Sequence, residues 1–231
     1  YRRWMEYNRK KAICGENRNS YSKTDTDATF MHMKDDHMRN GQLKPGYNVQ
    51  FAVNSGFITG IGVFSNRTDF GTLIPFLTYL WHKHGKSYCN VVADSGYESL
   101  ANYRWLFENG QTAFIKPANY ESGKKRSSKS QVGRMENMGY YEPDDCFICK
   151  NGRHLDYVSK YTSHAKDGTE REISVYRCED CSDCPYRSVC CKAKEENRRK
   201  EISVCWEFQK MRQQSYWNIT TEEGKLLRCN R

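Results

Sequence analysis

No apolar run in the sequence is long enough to span a membrane. The longest apolar-rich stretch, Thr72 to Trp81, is far shorter than the roughly 20 residues a transmembrane helix needs. No apolar segment follows the basic start Tyr1-Arg2-Arg3, so no secretory signal is expected in the sequence as written. Apolar residues are only 37% of the 231, and mean hydropathy is -0.92. Acids are the minority charge, with 28 Asp and Glu against 37 Lys and Arg. There is no internal repeat, and the six histidines form no pair at metal-ligand spacing; His82 and His84 flank an expected helix end.

Aromatic residues, by contrast, are abundant: 16 Tyr, 10 Phe and 5 Trp. That much ring surface can build a core, which argues against wholesale disorder. At roughly 100–200 residues per domain, the length allows one domain, or one with a sizeable insertion. The first residue is Tyr rather than Met, so a fragment or a mature form is expected.

The net charge of +9 is unevenly distributed. Lys124, Lys125, Arg126, Lys129 and Arg134 fall in one polar stretch, and Lys192, Lys194, Arg198, Arg199 and Lys200 in another. Two basic stretches suit a phosphate backbone, and they equally suit two solvated loops. Nine of the eleven cysteines lie between Cys146 and Cys229. Clustered Cys-x-x-Cys pairs without a secretion signal argue for a reducing compartment and a metal rather than a disulfide scaffold.

Residues 1–20 read as a helical remnant or tail. Thr24 to Met33 is expected to hold a short strand. Gly46 to Val53 alternates with period two, Asn54-Ser55-Gly56 is a turn signal, and Phe57 to Phe64 is a second strand, so a hairpin is expected. Thr68 to His84 carries Leu73, Phe76, Leu77 and Leu80 at helical spacing, with Asp69 near its start. Tyr88 to Ala93 reads as a buried strand ending at Asp94, Ser99 to Asn109 as a helix stopped by Gly110, and Thr112 to Lys116 as a strand closed by Pro117. Three sequential strands suit a meander, and strands joined by helices suit parallel crossovers. The expectation is therefore an α/β fold with a mixed sheet and flanking helices. Residues 121–139 read as a loop. Residues 140–205 read as a cysteine-rich insertion with its own small core. A helix is expected over 205–217, and Thr220-Thr221-Glu222-Glu223 resembles a capping box opening a last one.

Asp94 stands at the end of a buried strand, where open α/β sheets present functional side chains. Asp25 and Asp27 stand on or beside the first strand. If these strands are neighbours, the carboxylates converge and need a cation to be stable together. An all-oxygen ligand set favours Mg2+ or Mn2+, and such ions bring phosphates. On spacing alone the bland reading stands beside this one: Asp25 as a turn residue and Asp94 as an Asx-turn.

Three blocks of sequence carry a resemblance. They are Thr24-Asp25-Thr26-Asp27-Ala28-Thr29-Phe30-Met31 with its continuation through Met33-Lys34-Asp35-Asp36-His37-Met38 and Asn40 to Gln50; Ala93-Asp94-Ser95-Gly96-Tyr97-Glu98-Ser99 with Asn102-Tyr103; and Tyr176-Arg177-Cys178 with Cys181 and Cys184-Pro185. Together they resemble the DDE transposases of bacterial insertion sequences, in the branch named insertion sequence eleven-eighty-two. The resemblance implies a ribonuclease H-like fold, two-metal DNA strand cleavage and transfer, transposon-end and target DNA as partners, no membrane, a homo-oligomer at full length, and a bacterial, nucleoid-associated cytoplasmic location. By motif, Asp94 is the second acid and Asp27 the first, with Asp25 as the alternative; Asp35 and Asp36 read as solvated. The family's third acid, a Glu on a helix after the insertion, has no match here, and Glu207 with Lys210 has the wrong context. The chain is thus expected to be a fragment lacking the N-terminal region and the third acid. Its organisation reads as residues 1–20 (remnant), 21–120 (first part of the core), 121–205 (basic loop and insertion) and 206–231 (start of the C-terminal core helices).

Within the insertion, Cys178-x2-Cys181-x2-Cys184-x5-Cys190 follows Cys146-x2-Cys149. Zinc takes four soft ligands in a tetrahedron, and each Cys-x-x-Cys turn supplies two. Cys146, Cys149, Cys178 and Cys181 make one suitable set, and sets using Cys184 and Cys190 make others. Six thiols exceed one ion's needs and fall short of two separate four-thiolate sites unless His154 or Cys191 joins. Free thiols are the bland alternative, and an iron–sulfur cluster or a disulfide is the chemical competitor. Lys150-Asn151-Gly152-Arg153-His154 and Lys160-Tyr161 interleave cations and rings, as nucleic-acid surfaces and ordinary surfaces both do.

Overall fold

The computed structural model describes residues 1–15, 18–33, 38–191 and 198–229. Asp35, Asp36, Lys192, Lys194 and Arg231 lie outside the described residues. The chain divides into two compact units, residues 1–115 with 218–231, and residues 116–217.

The first unit opens with helix α1 (Arg2–Cys14), which buries none of its residues. Its last carbonyls, which have no intrahelical partner, are taken up by Arg18: Nη2 donates to Ile13 at 2.8 Å and Nε to Cys14 at 3.1 Å. Strand β1 (Thr29–Met31) pairs antiparallel with β2 (Lys44–Gly46). Strands β3 (Asn48–Asn54) and β4 (Phe57–Phe64) form the expected hairpin. Ser55 and Gly56 both have positive φ, 51° and 80°, which is the two-residue turn whose twist matches the flanking strands. One face of the hairpin packs on α2 (Leu73–His84): a methyl group at Gly60 would collide with Leu80. On the other face Val49, Phe51, Ile61 and Val63 are exposed. Strand β5 (Asn90–Ala93), helix α3 (Leu100–Glu108) and β6 (Thr112–Ile115) make a parallel strand–helix–strand unit. Ser99 caps α3, its side chain accepting from the Asn102 amide at 3.1 Å.

The α/β character expected from the sequence is present, whereas a single mixed sheet is not. Among the described residues the strands of this unit lie in three separate two-stranded ladders, β1–β2, β3–β4 and β5–β6. The meander of three sequential strands reduces to the hairpin. Part of the reason is local. Strand β2 is only three residues long and centred on Pro45, which has no N–H to offer a further neighbour.

The second unit begins with two short helices, α4 (Tyr120–Lys124) and α5 (Arg126–Lys129), and a 3-10 turn at Met135–Asn137. These replace the loop expected over 121–139. A five-stranded antiparallel sheet follows: β7 (Gly139–Tyr141), β8 (Cys146–Ile148), β9 (His154–His164), β10 (Glu170–Cys178) and β11 (Glu201–Val204), in the order β11-β10-β9-β8-β7. Helix α6 (Arg187–Cys190) lies between β10 and β11. The small core expected for the insertion is there: Met138, Phe147, Leu155, Tyr176, Cys178, Cys181, Ile202 and Val204 are buried together. Tyr140, Phe147, Tyr176 and Trp206 pack ring to ring, with centroid separations of 4.6–6.2 Å, in the range where aromatic pairs add about 0.5–1.5 kcal/mol each.

Helix α7 (Trp206–Thr220) spans the expected 205–217, and α8 (Glu222–Cys229) ends the described chain. The cap of α8 is Thr221, whose Oγ1 accepts from the Gly224 amide at 3.0 Å. The capping box is thus half made, because its third helical position is Gly224 rather than an acid.

Candidate acidic site and thiol centre

The residues before β1 form a tight turn around the first two candidate acids. Asp25 Oδ1 accepts from the Asp27 amide at 3.1 Å, and Asp25 Oδ2 accepts from the Tyr47 hydroxyl at 2.7 Å. The Tyr47 hydrogen bond holds the Asp25 carboxyl below its usual range. The Asp27 backbone carbonyl receives Arg18 Nη1 at 2.7 Å and Ser65 Oγ at 2.8 Å, while its side chain is exposed.

Asp94 follows β5 directly, and its Oδ1 accepts from the Gly96 amide at 2.8 Å. This is the Asx-turn of the bland reading, opening a 3-10 turn over Ser95–Tyr97. Asp69, which the sequence pattern places only near a helix start, approaches it. A methyl group at Gly96 would sit 2.8 Å from Asp69 Oδ2 and 3.1 Å from Asp94 Oδ1, so these two oxygens are no more than about 6 Å apart. Asp69 does not cap α2. It opens its own 3-10 turn, Asp69–Gly71, and its Oδ1 accepts from Asn48 Nδ2 at 2.6 Å and Gln50 Nε2 at 3.5 Å. Asn102, fully buried in α3, ties the two turns together: Nδ2 donates to the Phe70 carbonyl at 2.9 Å and the Tyr97 carbonyl at 2.7 Å. Burial and the charges of Asp69 and Asp94 push the Tyr97 hydroxyl up to about 12.

Asp69 and Asp94 thus approach one another, while Asp25 bonds the Asp27 backbone. Tyr47 donates to Asp25, and its chain neighbour Asn48 donates to Asp69. Among the described residues no basic side chain forms an ion pair with Asp69 or Asp94, and no hydrogen bond or ion pair joins Asp27 to Asp94. The donor set is all oxygen, which suits Mg2+ or Mn2+. Gln50, buried on β3, donates to Thr72 Oγ1 as well as to Asp69, so no sequence signal singled out Asp69.

All eleven cysteines are free. Cys146 stands apart from the other candidate ligands. It is on β8, and an offset of three along extended chain turns Cys146 and Cys149 to opposite sides. Cys146 Sγ is 3.9 Å from His154 Nδ1, and Cys146, His154 and Asp156 are the one set of three metal-ligand groups among the described residues with ligand atoms within 4.8 Å of one another. Burial, then the nearby carboxylates of Asp144, Asp156 and Asp145, raises the Cys146 thiol. The other five candidate cysteines, Cys149, Cys178, Cys181, Cys184 and Cys190, together with Cys191, line one cavity of about 20 Å³. Burial, with Cys181 and Cys149 nearby, pushes Cys178 up to about 12. Cys190 is raised by burial and by Cys181, Cys149 and Cys184, with Lys200 opposing.

A second, open cavity of about 670 Å³ in the same unit is lined by Arg134, Arg198, Arg199 and Lys200. Arg134 of the first basic stretch thus meets Arg198, Arg199 and Lys200 of the second at one concave surface, which Glu201 also lines.

Residues 148–231 match the family model described as the transposase DDE domain. A DDE transposase family is thereby supported. The matched segment covers the thiol cavity, β9 to β11 and the last two helices, and neither Asp27 nor Asp94. No curated protein and no solved structure matches the chain significantly. No helix among the described residues is long and apolar enough to cross a membrane.

Proposed function

We propose that this chain carries the catalytic core of a DDE-type transposase, ribonuclease H-like and of the insertion sequence eleven-eighty-two branch, acting on transposon-end and target DNA. The observation that carries the reading is the transposase DDE match over residues 148–231. Asp27 (with Asp25 as the alternative) and Asp94 are the proposed ligands for Mg2+ or Mn2+, with Asp69 as a neighbouring carboxylate. Divalent ions there would supply charge stabilisation to the reacting phosphodiester. In the reaction, water adds to phosphorus at the transposon end and the 3′-oxygen leaves as a hydroxyl. That hydroxyl then attacks a target phosphodiester, whose own bridging oxygen leaves. Arg134, Arg198, Arg199 and Lys200 are the proposed contacts to the DNA backbone, where each neutralised phosphate steepens the salt dependence of binding. No Glu here fits the third-acid pattern, so cleavage is not expected of this chain alone. The protein is proposed to act as a homo-oligomer in the bacterial cytoplasm, associated with the nucleoid.

A second reading is a non-catalytic, zinc-containing nucleic-acid-binding module, or a metal-dependent nuclease with the same strands. One observation favours the module: the family match takes in the thiol cavity and Arg198 to Lys200 but neither acid. Mn2+ binding and duplex-DNA binding by the purified chain separate the two. The transposase reading expects Asp27→Asn and Asp94→Asn each to weaken Mn2+ binding about tenfold or more with DNA affinity intact. Arg198→Ala with Arg199→Ala should weaken DNA binding and flatten its salt slope. Mn2+ binding that survives both Asp substitutions together would leave only the module.

A further inference from the structure

The thiol cavity in the second unit is the most distinctive chemistry in the chain outside the acids. Its volume of about 20 Å³ is near that of a single small sphere. Cys149 reaches it from the tight turn after β8, where the Gly152 amide donates to the Cys149 carbonyl at 2.9 Å. Cys178 ends β10, Cys181 and Cys184 follow in the next loop, and Cys190 ends α6. Residues far apart in sequence have thus been brought around one point. The Lys200 amide donates to Cys181 Sγ at 3.4 Å, tying the loop after β10 to the residue before β11. Arg153, Arg187 and Lys200 also line the cavity. A divalent ion with four thiolates carries a net charge of about -2; Arg187 and Lys200 stand where they would offset it, while Arg153 is paired with Asp180, which also lines the cavity.

We propose that this cavity binds one Zn2+ through Cys149 and Cys190 together with two of Cys178, Cys181 and Cys184, and that Cys146 is not a ligand. The role is structural: the ion would fasten the β8 turn, the loop after β10 and α6 to one another. Binding displaces the protons of the four thiols into solvent, so uptake is stronger at higher pH. No three of these sulfurs lie within 4.8 Å of one another. A tetrahedral site with Zn–S bonds of about 2.3 Å needs sulfurs about 3.8 Å apart, so the thiols draw together on binding. This inference does not depend on the transposase reading.

The test is metal content of the whole chain purified under reducing conditions, followed by Co2+ substitution monitored through its thiolate-to-metal absorption. The expected result is one zinc per chain and a tetrahedral, thiolate-rich cobalt spectrum. Cys149→Ser and Cys190→Ser should each lose the stoichiometric metal, while Cys146→Ser and His154→Ala retain it. Chelation of the wild-type protein should lower its melting temperature, and added Zn2+ should restore it, which guards against variants that merely misfold. Absence of zinc together with no Co2+ binding would overturn the proposal. So would loss of metal on Cys146→Ser or His154→Ala with retention on Cys149→Ser, or iron with acid-labile sulfide in place of zinc.

Discussion

Asp69 Oδ2 and Asp94 Oδ1 approach the same small gap, the one left by the missing side chain of Gly96. Two 3-10 turns from different parts of the chain, Asp69–Gly71 and Ser95–Tyr97, bring the two carboxylates there. Neutral amides surround the two carboxylates: Asn48 and Gln50 donate to Asp69, and the Gly96 N–H to Asp94, so their mutual repulsion is left for a cation to offset.

The buried amide of Asn102 holds those turns in register, so its removal should be felt. Asn102→Ala leaves the Phe70 and Tyr97 carbonyls without their donor. At about 1–3 kcal/mol for a buried polar group left unpaired, the loss should be about 2–3 kcal/mol. Urea unfolding of the variant and the wild type measures it. A change under about 0.5 kcal/mol, the range of ordinary surface substitutions, would show that the clamp is not structural.

Tyr97 makes the site sensitive to alkali. Its hydroxyl lies near 12 in the folded chain, chiefly through burial and then through Asp69 and Asp94, against about 10 when unfolded. The folded state therefore keeps its proton over a range where the unfolded state has lost it. The associated stability is complete below about pH 10 and is lost as pH rises from there towards about 12. Tyr97→Phe should make the fall in unfolding free energy over that window shallower. Asp69→Asn should lower the midpoint of the Tyr97 phenolate absorbance change. A parallel pH dependence in wild type and Tyr97→Phe would refute the assignment.

In the second unit, Tyr176 is the polar link inside an aromatic core. It is 1% exposed; its hydroxyl donates to Asp145 Oδ1 at 2.7 Å and accepts from Trp206 Nε1 at 2.9 Å. Tyr176→Phe keeps the ring packing and removes both bonds. Asp145 retains Tyr140 at 2.9 Å, and Trp206 is 37% exposed and can turn to water. The cost should thus be near the lower end for a lost hydrogen bond, about 1 kcal/mol, with a red-shifted Trp206 emission. A loss above about 3 kcal/mol would mean that the ring packing also depends on this hydroxyl.

Local patterns in the chain already specified most elements of the first unit. Period-two alternation and Asn54-Ser55-Gly56 marked the β3–β4 hairpin. Leu73, Phe76 and Leu80, all buried, marked α2, and Ser99 marked the start of α3. These signals were legible because period, cap and turn are set by neighbours in sequence. Helices of four or five residues, such as α4 and α5, leave no periodic trace, so residues 121–139 read as a loop in sequence. The mixed sheet was overextended because strand-to-strand pairing depends on backbone groups that sequence patterns do not rank.

The sequence by itself determined the chemistry on offer: carboxylates at strand ends, a surplus of cations in two stretches, and thiols at metal-ligand spacing. Tertiary structure decided who meets whom. It set Asp94 against Asp69, turned Cys146 towards His154 and Asp156, gathered Cys149 with the thiols that follow β10, and joined Arg134 to Arg198–Lys200. The reason is physical. Which side chains the chain carries is a property of its residues, whereas long-range proximity is set by strand pairing, helix packing and the direction each side chain leaves the backbone.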